Sequence, residues 1–119
     1  MSFSYQIAKE NNLMIVSLEG NLIGKEQVSD LMNEIVDGLE NGIKNVLVDL
    51  SNMQYMNSTG LNILVNILTK TRNKDGDVII ANVPDKINKL LIITKLNSVF
   101  NIQATVEQAK KELIQAYES

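Results

Sequence analysis

Val46-Leu47-Val48-Asp49-Leu50 constrains the fold more than any other stretch of this chain. It is apolar on both alternating faces, the pattern of a central strand covered on each side or paired in parallel. Leu61, Leu64, Val65 and Leu68 then recur at helical spacing, with Asn62, Asn66, Lys70 and Asn73 on the other side. After a loop at Asp75-Gly76-Asp77, the run Val78 to Val83 reads as a second buried strand, ended by Pro84. Strand, helix and strand in this order form a βαβ unit, whose crossover should be right-handed.

The flanking segments extend the pattern. Phe3, Tyr5 and Ile7 alternate with polar residues, and Asn11-Asn12 turns the chain into Leu13 to Leu18, an opening strand pair. Val28, Leu31, Met32, Ile35 and Leu39 form a helical stripe that Gly42 is well placed to end, although Asn41-Gly42 also suits a hairpin turn. Ile87, Leu90 and Leu91 start a third helix behind Asp85, read as its N-cap. Phe100-Asn101-Ile102 suits a short edge strand. Thr105 and Gln108 form a capping-box pattern before a last helix with Val106, Ala109, Leu113 and Tyr117 as its stripe. The expected architecture is α/β: a mixed, mainly parallel sheet of four to five strands with about four packed helices, all in one domain over residues 1–119.

Missing residue types narrow the function. The chain has no Cys and no His, which excludes a disulfide framework, a thiolate nucleophile, a Cys-based zinc site and a Ser-His-Asp hydrolase. Isolated acids such as Glu19, Asp30 and Glu34 have no spacing that makes an acid/base pair or a metal site, and no glycine-rich phosphate cradle is present. No catalytic residue, metal or cofactor is expected. A net charge of -3, spread along the chain, argues against direct nucleic-acid binding. Met1 to Gln6 lacks the features of a secretory signal, and no apolar run approaches the ~18 residues of a membrane span, so a soluble cytoplasmic protein is expected. Asn57-Ser58-Thr59 also fits the N-glycosylation pattern, a chance match without a secretory route.

The junction between the central strand and its helix is the candidate site. Ser58 can cap the helix by accepting a backbone N–H from Gly60 or Leu61, a contribution of roughly 1 kcal/mol. Yet the junction follows the carboxyl end of a central strand, where open α/β sheets tend to place their sites. Gly60 moreover lowers helix propensity in the first turn while leaving the backbone accessible. Tyr55-Met56 either presents an apolar contact beside Ser58 or lets Met56 pack beneath the loop. Asn62 and Asn66 follow Ser58 at i+4 and i+8 on one uncharged ridge. Asp49 suits loop organisation through backbone N–H bonds.

Asp49-Leu50-Ser51-Asn52-Met53-Gln54-Tyr55-Met56-Asn57-Ser58-Thr59-Gly60-Leu61 resembles the signature of STAS domains, the sulfate transporter and anti-sigma factor antagonist family. That signature runs roughly D-L-S-x-x-x-x-[MI]-[DN]-S-[ST]-G-[LI]. Gly20-Asn21-Leu22, and Leu90 to Leu96 leading to Val99-Phe100, extend the resemblance over nearly the whole chain. It implies a single STAS-type domain acting as a free-standing bacterial anti-sigma factor antagonist, a regulator of transcription and not an enzyme. The implied partner is an anti-sigma factor that is also a Ser/Thr kinase. That kinase would phosphorylate Ser58, or secondarily Thr59, and so break the complex; a metal-dependent phosphatase would restore it. The partner-binding residues would be Tyr55, Met56, Asn57, Ser58, Thr59, Gly60, Asn62 and Asn66, on a monomer or weak dimer. Asn57 stands where the family often has Asp, and Ile23 aligns near an acidic position of well-studied antagonists. Both departures suit a second implied role, a non-phosphorylated adaptor subunit of a signalling scaffold or of a lipid-transport ATPase complex.

Overall fold

The computed structural model describes residues 2–10 and 12–118, without the side chains of 113–118. Strands β1 (Phe3–Glu10) and β2 (Leu13–Leu22) are followed by helix α1 (Ser29–Glu40), β3 (Asn45–Met56), α2 (Ser58–Arg72), β4 (Asp77–Ala81), α3 (Asp85–Ile93), β5 (Asn101–Gln103) and α4 (Val106–Glu118). The five strands form one sheet in sequential order. β1 and β2 pair antiparallel, from Phe3 opposite Gly20 to Glu10 opposite Leu13, and β2 through β5 are parallel. The expected α/β architecture is thus present, including the short edge strand β5. Of the two residues expected to turn β1 into β2, Asn11 lies outside the described ones.

Sequential parallel strands joined by right-handed crossovers carry their connecting helices on one face. The main core fills that face. Met14, Val16 and Leu18 of β2, Val46, Val48 and Leu50 of β3, and Val78 and Ile80 of β4 meet Leu31 and Ile35 of α1, Leu64 and Ile67 of α2, and Ile87 and Leu91 of α3. The opposite face buries Leu47, Ile79 and Ala81 beneath Ala109 of α4, with Leu13, Ile15 and Val106 at the margin. Two covered faces explain why β3 and β4 are apolar without alternation. Leu113 and Tyr117, expected on the α4 stripe, lie outside the described side chains.

The helix ends are chemically defined. α1 stops in a Schellman motif: Gly42 has φ +104°, its N–H bonds to Leu39 O at 3.3 Å, and the Ile43 N–H bonds to Gly38 O at 3.0 Å. This settles Asn41-Gly42 as a helix terminus. Thr105 Oγ1 accepts the Gln108 N–H at 3.1 Å and opens α4. The N-cap of α3 is Pro84 and not Asp85, which is the first helical residue and sets its charge near the helix N-terminus. β4 ends at Ala81 instead of Val83 because Asn82 adopts a left-handed φ of +55°.

The largest departure from expectation is the length of β3, which runs through the apparent polar turn to Met56. Ser17 faces Asp49, but Glu19 faces Asn52; Gly20 faces Met53, but Asn21 faces Tyr55. Each shift gives β3 one residue more than β2, so the buried positions change from every second residue to Leu50, Met53 and Met56. Two bulges therefore disguise a strand as a turn. β2 is extended alongside it, past the expected end at Leu18 to Leu22.

Candidate partner-binding site

The bulged extension brings Met56 level with Leu22 at the carboxyl end of the parallel strands, and α2 starts there. Asn57, with extended backbone at φ −103° and ψ −169°, is the N-cap. Its Oδ1 accepts the Gly60 N–H at 3.1 Å, and its carbonyl accepts the Leu61 N–H at 3.0 Å. The same amide donates from Nδ2 to Ile23 O at 3.2 Å, and the Asn57 N–H reaches Leu22 O at 3.4 Å. One side chain therefore starts the helix and ties it to the segment leaving β2.

The expected cap at Ser58 is thus corrected. Ser58 is the first helical residue, its side chain is exposed, and its hydroxyl has no hydrogen-bond partner among the described residues. Asn57 takes the cap with a longer side chain whose amide accepts from Gly60 at Oδ1 and donates to Ile23 at Nδ2 together. Thr59 is half-buried. The first turn of α2 holds no acidic residue.

Gly60 and Met56 also differ from expectation as partner contacts. A Cβ on Gly60 would lie 2.4 Å from Met56 Cγ and 2.7 Å from Leu22 O, so the glycine lets the helix sit directly on the sheet end. Its backbone is buried, not accessible. Met56 is only 3% exposed and belongs to the main core. Neither residue presents a side chain to a partner. Tyr55, 54% exposed, does. Asn62 and Asn66 are exposed along the ridge that begins at Ser58. Asp49 acts as expected, its Oδ1 accepting from Ser51 N at 3.0 Å and from Asn82 Nδ2 at 3.1 Å.

Two residues outside the expected partner-binding set join the site. Ile23, 39% exposed, stands beside Asn57 through the Nδ2 bond to its carbonyl and adds an apolar wall. Gln27 shapes the loop carrying it: Oε1 accepts from Ile23 N and Gly24 N, both at 2.9 Å, and Nε2 donates to Asn21 O at 3.1 Å. A Gln three residues after an N-cap position, Gly24, was the available signal for this clasp. Ile23, Tyr55, Asn57, Thr59 and Asn62 around Ser58 carry no formal charge, whereas the exposed Lys25 and Glu26 follow on the turn after Ile23, with the Glu26 carboxylate over Gly24.

Among the described residues no group of acids could hold a metal ion, and no helix is long and apolar enough to cross a membrane.

Comparison with known proteins agrees with this anatomy. The anti-sigma-B factor antagonist of Staphylococcus aureus strain NCTC 8325 / PS 47 is 30% identical over 80 residues, 67% of this chain and 74% of that protein. The anti-sigma factor antagonist SpoIIAA in its unphosphorylated form shares the fold with a TM-score of 0.73 at 12% identity, over 94% of this chain and 98% of that one. The Bacillus cell fate determinant SpoIIAA in the phosphorylated form gives a TM-score of 0.74 at 16% identity, over 92% and 99%. The model of the STAS domain matches residues 4–109, which take in the whole five-stranded sheet apart from Phe3, the capped junction and the first three crossover helices, so this chain belongs to the STAS domain family.

Proposed function

We propose that this protein is an anti-sigma factor antagonist that binds its anti-sigma factor, a Ser/Thr kinase, through the surface around the N-terminus of α2, and that a phosphate on Ser58 ends the complex. The observation that carries this reading is the division of labour at the junction: Asn57 caps the helix, leaving the Ser58 hydroxyl exposed and unengaged. The names of the S. aureus relative and of SpoIIAA support it. A phosphate would bring about -1.5 to -2 charges to a helix terminus, where the dipole favours an anion by ~0.3–1 kcal/mol. The fold tolerates that charge. A docked partner does not, because the phosphate loses its water at the contact. A metal-dependent phosphatase completes the cycle. The protein is in this reading a binding module, with no chemistry of its own.

The test is intact mass with peptide mapping on protein isolated from its own cells, joined to binding by Ser58→Asp. One added phosphate on Ser58, and a Ser58→Asp variant that stays folded but loses the anti-sigma factor, are the expected results. Full affinity in that variant sinks the switch. An unmodified protein even with phosphatases blocked favours the second reading, a non-phosphorylated adaptor of a scaffold or lipid-transport ATPase. The absence of a carboxylate at both Asn57 and Ile23 is the observation on that side.

A further inference from the structure

A second exposed apolar surface lies at the opposite end of the sheet from Ser58. α3 leaves the carboxyl end of β4 and runs back toward the start of β5, where Arg72, the last residue of α2, donates from Nη2 to Val99 O at 3.5 Å. At this corner Ile92 is 52%, Ile93 76% and Val99 40% exposed. α3 already has an inward stripe, with Ile87 and Leu91 buried, so these side chains are not core residues caught at an edge. Lys86 and Lys89 precede Ile93 by seven and four positions, on one outward stripe, and Lys95 follows it. All three lysines are exposed, and among the described residues none is ion-paired.

We infer that this corner docks on an anionic bilayer surface. Single exposed aliphatics are ordinary on soluble proteins, but three of them at one helix end with Lys89 and Lys95 beside them, and Lys86 two turns back on the same stripe, form an amphipathic contact. The branched side chains reach the acyl boundary while the lysines extend along them to the headgroups. The composition fits lipid better than a protein partner. Protein hot spots are built on Trp, Tyr and Arg, and none of the six residues here is of that type; the adjacent Arg72 is engaged by Asp77 at 3.6 Å and by Val99 O. Lysines are point charges on flexible stems, suited to an anionic surface without a fixed pattern. Asp75 and Asp77 lie at the near end of β4, Asp77 partly offset by Arg72, and the larger acidic flank gives the orientation. Asp30, Glu34, Asp37 and Glu40 line the outward side of α1, across α2 from α3, and a negative membrane turns that flank away. Ser58 then faces the solvent and stays open to a partner.

Co-sedimentation of the full chain with vesicles tests this. Retention is expected on vesicles containing phosphatidylglycerol at low salt, little on pure phosphatidylcholine, and release as salt is added. Replacing Lys86, Lys89 and Lys95 together by Gln is expected to lower partitioning by tenfold to about a hundredfold. Ile92→Ser with Ile93→Ser should weaken it comparably, and thermal melts of both variants should match the parent because the replaced groups are exposed. Failure to bind either vesicle at low salt overturns the inference, as does binding unchanged in both variants. A concentration-dependent dimer that Ile93→Ser dissociates would assign the corner to a second copy and overturn it equally.

Discussion

Replacing Gly60 by Ala measures how closely α2 is seated on the sheet. On helix propensity alone the change should stabilise the protein by ~0.8–1.0 kcal/mol. The structure opposes it with two contacts, 2.4 Å to Met56 Cγ and 2.7 Å to Leu22 O. The methionine can rotate away only within a filled core. The carbonyl cannot rotate at all, because it is backbone and accepts the Asn57 N–H at 3.4 Å. Overpacking of this kind costs ~1–3 kcal/mol, so the net is a loss of up to about 2 kcal/mol, a fall in Tm of up to roughly 8 °C. Gly24→Ala is the control: its Cβ would meet only the Glu26 carboxylate, the far end of a flexible side chain, and Tm should barely move. Thermal unfolding followed by circular dichroism decides. A Gly60→Ala protein more stable than the parent would show that the helix is not held against the sheet by this close approach.

Three further outcomes are expected. Asn57→Ala removes the acceptor for Gly60 and the donor to Ile23, and chemical denaturation should report a loss of ~0.5–2 kcal/mol, whereas Asn57→Asp keeps the cap and should lose less. Met56→Ala should cost ~2–5 kcal/mol in the same measurement, while Tyr55→Ala should leave stability nearly unchanged and weaken binding to the anti-sigma factor; the reverse ranking would mean that Met56 is the contact. The Tyr5 phenol donates to Glu34 Oε2 at 2.6 Å, and this bond, then partial burial and the charges of Glu34 and Asp30, push its pKa up to about 12. The folded value lies above the unfolded one of about 10, so its stabilisation is complete below pH ~10 and is lost as pH rises through 12. A tyrosinate absorbance titration should show a late phase that Tyr5→Phe removes; identical curves would refute the bond.

Most of the architecture was legible because periodicity reports burial, and burial here is simple. Val46 to Leu50 announces a strand covered on both faces, and Leu61, Leu64 and Leu68 announce the helix after it. Gly42 announced the end of α1 because only a left-handed residue closes a Schellman motif there. The misses at the junction share one cause. Wherever the chain needed a register shift or a two-sided hydrogen bond, local pattern was a poor guide. The bulged half of β3 lost its two-residue period, so a strand looked like a turn and Met56 looked available. Capping preference ranks Asn and Ser alike, and only the position of the Ile23 carbonyl selects Asn57. Ile23 read as a missing acid, because nothing local shows that β2 delivers it to the start of α2.

Seen together, the two departures from the family motif change the physics of the proposed switch more than its location. Asn57 and Ile23 put no carboxylate at Ser58 and the first turn of α2 adds none, so the charges of this flank are Lys25 and Glu26 on the turn after Ile23. A partner can then cover Ser58, Asn57 and Ile23 with no ion to desolvate, and recognition falls to Ile23, Tyr55 and the amides of Asn62 and Asn66. A phosphate adds a formal charge where Ser58 and the residues named here have none. Covering it costs several kcal/mol unless the partner supplies a cation, and an interface built to fit the Ser58 hydroxyl gains nothing by keeping one there. With an acid already beside Ser58, the partner would need a compensating basic group, and that group would partly offset the added phosphate. Loss of the acids therefore widens the difference in affinity between the two states, so the lack of a carboxylate at Asn57 and Ile23 is compatible with a sharp phosphate-controlled release as well as with an adaptor that is never modified.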